Sequence, residues 1–161
     1  MAENPHDERK GFQYLLQALP QLQSANVDVS VIGRTQHIQT ELNAIHAHCF
    51  GTVNDEQKMA ELYNAADVFV IPSLEDNLPN TVSEALLCGT AVSGMRIGGI
   101  QEMVQDGING YLSTEGNGLG AAIAATLQHN FKSEDIRQQA LKELDEQKLI
   151  SDFKAMYTAL I

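Results

Sequence analysis

Seven residues separate Asp76 from Glu84 in the stretch PSLEDNLPNTVSEALLCGTAVSGMRIGGIQEMVQDGING, which runs from Pro72 to Gly110. Ionised carboxylates only accept hydrogen bonds, so two of them around one spot suit hydroxyls rather than phosphates. The same stretch also prepares a place for an anion. A buried strand, Asp67 to Ile71, runs into a polar loop carrying Glu75 and Asp76, and a short helix follows from about Thr81 to Cys88, with Gly89 just past its end. The first amides of a helix have no internal partner and its dipole favours negative charge. A polyol and an anion held side by side point to a sugar nucleotide.

The elements that must position this loop alternate along the chain. Phe12, Leu15, Leu16 and Leu19 form a helical stripe that Pro20 weakens or ends. Val27, Val29 and Val31 alternate as in a strand that Gly33 breaks, and Ile38, Leu42 and Ile45 suit a one-sided helix. His48-Cys49-Phe50 is a short strand. Asn54 and Gln57 resemble a capping box ahead of the stripe Met59, Leu62, Tyr63, Ala66. Val68 to Ile71 is continuously apolar, as in a parallel strand covered on both faces. After the acidic loop and its helix come a second strand, the pair Gly98-Gly99 and another short helix. A strand near Tyr111-Leu112 and a helix with Leu119, Ala122, Ile123, Thr126 and Leu127 inward come next. Two more helices close the chain, one with Ile136, Ala140 and Leu144 inward and one bearing Leu149, Phe153, Met156 and Leu160.

Such alternation with short connections predicts an α/β fold, a Rossmann-like open parallel sheet with helices on both faces. Ligands bind at the carboxyl ends of the strands in these sheets. Gly33-Arg34, Gly51-Thr52, Ser73 to Asn80 and Gly94 to Gly99 all follow strands and should gather on one edge.

With 161 residues, 43% of them hydrophobic and 19% charged, the chain is expected to be a single globular domain over 1–161. A net charge of −11 argues against binding nucleic acid or an anionic membrane surface. Cys49 and Cys88 form no CxxC and read as reduced thiols of a cytoplasmic protein. The opening MAENPHDERK has no apolar signal region, and no apolar run approaches the roughly 20 residues of a membrane span.

Taken together, Lys10-Gly11 before an apolar helix, AADVFVIPS (65–73), Glu84-Ala85, Cys88-Gly89-Thr90, and Gly98-Gly99-Ile100 through DGINGYL (106–112) resemble the group 1 family of retaining GT-B glycosyltransferases. The likeness is to their carboxy-terminal, donor-binding half and covers nearly the whole chain. The family's E-x7-E pair would here be Asp76-x7-Glu84, with Glu75 as a neighbour. The resemblance implies that Glu84 holds ribose hydroxyls and Asp76 contacts the transferred sugar; because aspartate is shorter than glutamate, either the sugar sits closer or Glu75 shares the task. It implies that the Asn80 and Thr81 amides and Lys10 meet the diphosphate. Gly51 and Thr52 fall at the base-binding loop, and Gly33 joins the donor-binding set. A nucleoside-diphosphate sugar is the implied donor substrate, with no cofactor and no metal.

Two departures accompany the resemblance. Family members carry a central strand before the Lys-Gly helix, and MAENPHDER is too short and polar to form it. The resemblance also implies an amino-terminal, acceptor-binding domain, which these 161 residues are not expected to include. The expected partners are therefore a nucleotide sugar and a missing acceptor domain or partner chain, with self-association a further expectation. Alternatives are a non-enzymatic nucleotide-sugar binder left by gene truncation, or another GT-B enzyme such as a nucleotide-sugar epimerase. Outside the family frame, Asp76 and Glu84 are a solvated loop acid and a first-turn glutamate worth about 0.3–1 kcal/mol to the helix. Arg9, Arg34 and Arg96 read as solvated charges, and His46-x-His48 lacks a third ligand for a metal.

Overall fold

The computed structural model describes residues 8–25, 27–36, 38–45, 47–144 and 146–158. A 3-10 turn, Glu8–Lys10, leads into α1 (Phe12–Ala18), and a second 3-10 segment, Leu19–Ala25, takes over where Pro20 removes an amide donor. Then follow β1 (Ser30–Ile32), α2 (Gln39–Ala44), β2 (His48–Gly51), α3 (Glu56–Ala65), β3 (Val68–Ile71) and α4 (Asn80–Leu87). The order continues with β4 (Ala91–Met95), α5 (Ile100–Met103), β5 (Gly110–Ser113), α6 (Leu119–Gln128), α7 (Ser133–Glu143) and α8 (Glu146–Thr158).

Every strand pair is parallel, as the alternation of strands and helices predicts, but the strands form two ladders rather than one sheet. β1 pairs only with β2, and β4 stands between β3 and β5. Among the described residues no strand lies between β1 and β3, and no backbone hydrogen bond crosses from one ladder to the other. Side-chain packing does the joining: Val27 shares an apolar cluster with Val68 and Val70.

Strand pleating sorts the core. Val68 and Val70 of β3 face Ala18, Leu22, Leu119 and Ile123 from the α1 and α6 side. Phe69 and Ile71 face Tyr63, Val82, Leu86 and Ile136 from α3, α4 and α7. Helices thus cover both faces of the larger ladder. β4 is buried throughout, whereas three of the four β3 residues are only half-buried. The α6 stripe lies inward as read, with Leu119 and Ile123 almost inaccessible.

Three sequence readings need correction. The α3 cap is Asp55, whose carboxylate accepts the Lys58 amide hydrogen at 2.8 Å, so the Asn54–Gln57 box does not form. Ala66 lies past the helix end and is exposed, and Leu144 is 39% exposed rather than inward, because α7 already buries its face through Ile136 and Ala140. In α8, Ile150, Met156 and Tyr157 are exposed, while the side chains of Leu149, Phe153 and Leu160 lie outside the described residues.

Ser93, at the middle of β4, is fully buried, and its hydroxyl finds no partner among the described residues. An unpaired buried hydroxyl costs free energy that a methyl does not. Ser93→Ala is expected to raise unfolding free energy by about 1 kcal/mol in urea titrations.

Candidate functional site

The loop between β3 and α4 is gripped from two sides. From the amino-terminal side, the Leu74 amide donates to the Arg9 carbonyl at 2.6 Å. Gly11 follows with φ +64°, and a Cβ there would stand 1.9 Å from the Pro72 carbonyl oxygen. Only glycine allows that backbone-to-backbone approach. Lys10, held between these two contacts, reaches Asp76, with Nζ 3.4 Å from Oδ2. Both side chains are partly open to water, so the pair itself stabilises the fold by no more than about 1 kcal/mol. Around it opens a depression of about 300 Å³ lined by Arg9, Lys10, Glu75, Asp76 and Asn77. Cations and carboxylates thus share one cavity, as an anion beside a polyol requires.

From the other side the loop rests on the Gly98-Gly99 turn. A Cβ on Gly98 would meet the Asp76 carbonyl oxygen at 2.0 Å, and one on Gly99 the Asn77 carbonyl oxygen at 1.4 Å. The Gly99 amide donates to the Asp76 carbonyl. This pair, placed by the sequence reading among the segments that follow strands, is the floor under the acidic loop.

The loop ends at Pro79, which precedes α4 without a side-chain cap and with no acid in the first helical turn. Asn80 and Thr81 open the helix, so their amides have no intrahelical acceptor. Glu84 is the fifth helical residue. Tyr63 donates its hydroxyl hydrogen to Glu84 Oε2 at 3.0 Å, from a side chain only 4% exposed. The sequence reading counted Tyr63 as core and missed this bond. The available signal was a tyrosine inside an apolar stripe where a leucine would serve packing alone.

Gly33 and Gly51 sit at the carboxyl ends of β1 and β2, and the Gly33 amide donates to the Gly51 carbonyl at 2.8 Å. A Cβ on either would enter open space, and Thr52 beside them is exposed. These three belong to the smaller ladder, while Lys10, Asp76, Asn80, Thr81 and Glu84 flank the larger one. No hydrogen bond among the described residues links the two sets.

Arg96 is engaged by Asp106, whose other oxygen accepts the Leu112 amide hydrogen, so it serves the β4–β5 connection. No group of three metal-ligating side chains occurs among the described residues, and His46 lies outside them. Both cysteines are free thiols.

Burial, and then the Glu84 carboxylate, push the Tyr63 hydroxyl well above its ordinary value. A folded-state value above the unfolded one, about 10, gives stability that is complete below that pH and declines above it. The stability advantage of wild type over Tyr63→Phe is therefore expected to fall by about 1.4 kcal/mol per pH unit above pH 10. Urea titrations of both chains at successive alkaline pH values test this.

A model of the family described as Glycosyl transferases group 1 matches residues 2–129. The chain belongs to this family. Similar curated members of the group 1 glycosyltransferases include an N-acetyl-alpha-D-glucosaminyl L-malate synthase of Bacillus anthracis, 28% identical over 108 residues, covering 63% of this chain and 28% of that protein. A D-inositol 3-phosphate glycosyltransferase of Xylanimonas cellulosilytica is 33% identical over 114 residues, covering 64% of this chain and 27% of that protein. Among solved structures, Anabaena Alr3699/HepE in complex with UDP-glucose superposes with a TM-score of 0.75 at 19% identity, over 95% of this chain and 46% of that one. The pneumococcal O-GlcNAc transferase GtfA, solved with UDP and GlcNAc, gives 0.71 at 18% identity, over 95% of this chain and 34% of that one. The fold is the Rossmann-like α/β arrangement of GT-B glycosyltransferases. The chain spans less than half the length of each of these four proteins. No described helix is long and apolar enough to cross a membrane.

Proposed function

We propose that this chain is the donor-binding domain, over residues 1–161, of a retaining glycosyltransferase that uses a nucleoside-diphosphate sugar and serves a polysaccharide or glycolipid acceptor. The observation that carries the reading is the grouping of Lys10 with Asp76 in one depression that also contains Glu75. Beside that loop α4 opens with uncapped amides. In this reading Lys10 and the Asn80 and Thr81 amides meet the diphosphate. Asp76, with Glu75 beside it, meets the sugar, Glu84 the ribose, and Gly33, Gly51 and Thr52 the base side. Lys10 and the helix amides would stabilise the leaving diphosphate as charge develops on it. Solved neighbours holding UDP or UDP-glucose support a nucleotide sugar as ligand.

Acceptor contacts and further catalytic groups would come from an amino-terminal domain or a partner chain, so the 161-residue chain alone is proposed to bind donor without turnover. Calorimetric titration with UDP and UDP-glucose tests the reading. Binding of UDP that weakens about tenfold in Lys10→Ala supports it, as loss of one charge-assisted contact predicts. No heat at millimolar UDP would overturn it and favour a degenerate chain. Sugar transfer by this polypeptide alone would sink the division of labour.

A further inference from the structure

We propose that Tyr63 is a positioning residue of the donor site, holding one oxygen of Glu84 so that the other faces a ligand's vicinal ribose hydroxyls. The inference rests on the donor-site reading above and adds a residue to it.

Glu84 alone is poorly prepared for that task. It stands on an exposed position of α4, and ordering a free glutamate side chain on binding costs rotamer entropy. Tyr63 removes that freedom, because its own place is over-determined. Its ring packs edge-on against Phe69, with centroids 5.5 Å apart and planes at 81°. Its carbonyl accepts the Thr90 hydroxyl at 2.7 Å, inside the core. Its hydroxyl therefore projects from a fixed point to Glu84 Oε2 at 3.0 Å. No other side-chain partner of Glu84 occurs among the described residues.

The chemistry is complementary. A carboxylate offers about four acceptor positions over two oxygens, and the tyrosine occupies one of them. Glu84 is an exposed position, so the rest remain available to two neighbouring hydroxyl donors. At neutral pH the phenol keeps its proton as any tyrosine does, and burial with the nearby carboxylate raises its ionisation further. Tyr63 is thus the donor of the pair. Phenylalanine would fill the same core volume and keep the ring contact with Phe69, so the hydroxyl has a separable purpose.

Calorimetric titrations with UDP, 2′,3′-dideoxy-UDP and inorganic pyrophosphate separate orientation from folding. Wild type is expected to prefer UDP over the dideoxy analogue, and Tyr63→Phe to lose about tenfold in UDP affinity, as for one hydrogen bond to a charged group. Its affinity for the dideoxy analogue and for pyrophosphate should not change, so the preference for ribose collapses. In a Glu84→Ala background the second substitution should have no further effect on UDP. A Tyr63→Phe chain with the wild-type preference overturns the inference and leaves the donor site standing. So does one that loses all three probes alike, which would mark Tyr63 as merely structural. A wild type that does not bind UDP, or does not discriminate against the dideoxy analogue, overturns the donor-site reading and this inference with it.

Discussion

Gly99→Ala is expected to lower the melting temperature by about 6–12 °C and to remove UDP binding from whatever protein still folds. The added methyl would stand 1.4 Å from the Asn77 carbonyl oxygen and 2.6 Å from its carbon, with a Leu78 methyl at 2.8 Å. Backbone cannot yield as a flexible side chain can. The loop must lift off its floor, which costs about 3 kcal/mol as overpacking. Lifting Asn77 moves Asp76, and with it the partner of Lys10, so the anion and polyol sides of the cavity lose register together. Gly120→Ala provides the contrast. Its methyl would meet mainly the end of the Gln21 side chain, at 2.5 Å, and that amide can swing away. Near-native melting of Gly120→Ala beside a collapsed Gly99→Ala is the expected pair. A Gly99→Ala chain that melts and binds UDP like wild type would show that the floor has no bearing on the site.

Glu84→Ala is expected to weaken UDP binding by about 30- to 150-fold, because hydrogen bonds from two hydroxyls to one carboxylate are lost together. The same substitution leaves the buried Tyr63 hydroxyl without its acceptor, at a cost of about 1–2 kcal/mol in folding free energy. Both readouts are needed. Calorimetry measures the ligand's loss and urea titration the protein's. Asp76→Ala should separate from it, leaving UDP affinity within a few-fold of wild type and removing any advantage of UDP-glucose over UDP. Unchanged UDP affinity in Glu84→Ala would end the ribose assignment, whatever its effect on stability.

The parts of this structure that were legible in the sequence are those in which local pattern and tertiary demand agree. The run from Val68 to Ile71 could only be a strand covered on both faces, and Leu119, Ala122 and Ile123 could only be an inward stripe. The acidic loop and the start of α4 were readable because a strand, a polar turn and an apolar stripe follow one another without interruption. The α3 cap slipped by one residue, since Asn54 and Asp55 are both good caps and only the Lys58 amide chooses between them. Contacts made by backbone escaped entirely. Nothing in the letter Arg9 announces that its carbonyl will receive Leu74, and nothing in Gly98-Gly99 that Asp76 and Asn77 will lie on it. Tyr63 escaped for the opposite reason. Its ring satisfies the stripe so well that the hydroxyl went unnoticed.

The separation of β1 and β2 from β3, β4 and β5 has one more consequence. In an undivided sheet, a row of amide-to-carbonyl bonds sets the span between the base side and the phosphate side of such a site. Here Gly33 and Gly51 stand on one pier, Lys10, Asp76 and Glu84 on another, and among the described residues apolar side chains such as Val27 lie across the span. A nucleotide touching both piers becomes the keystone of the arch. Part of its intrinsic affinity would go into fixing their distance, so binding would be weaker than its contacts alone would give. Its arrival should quiet amide hydrogen exchange in β1 and β2 as much as in α4.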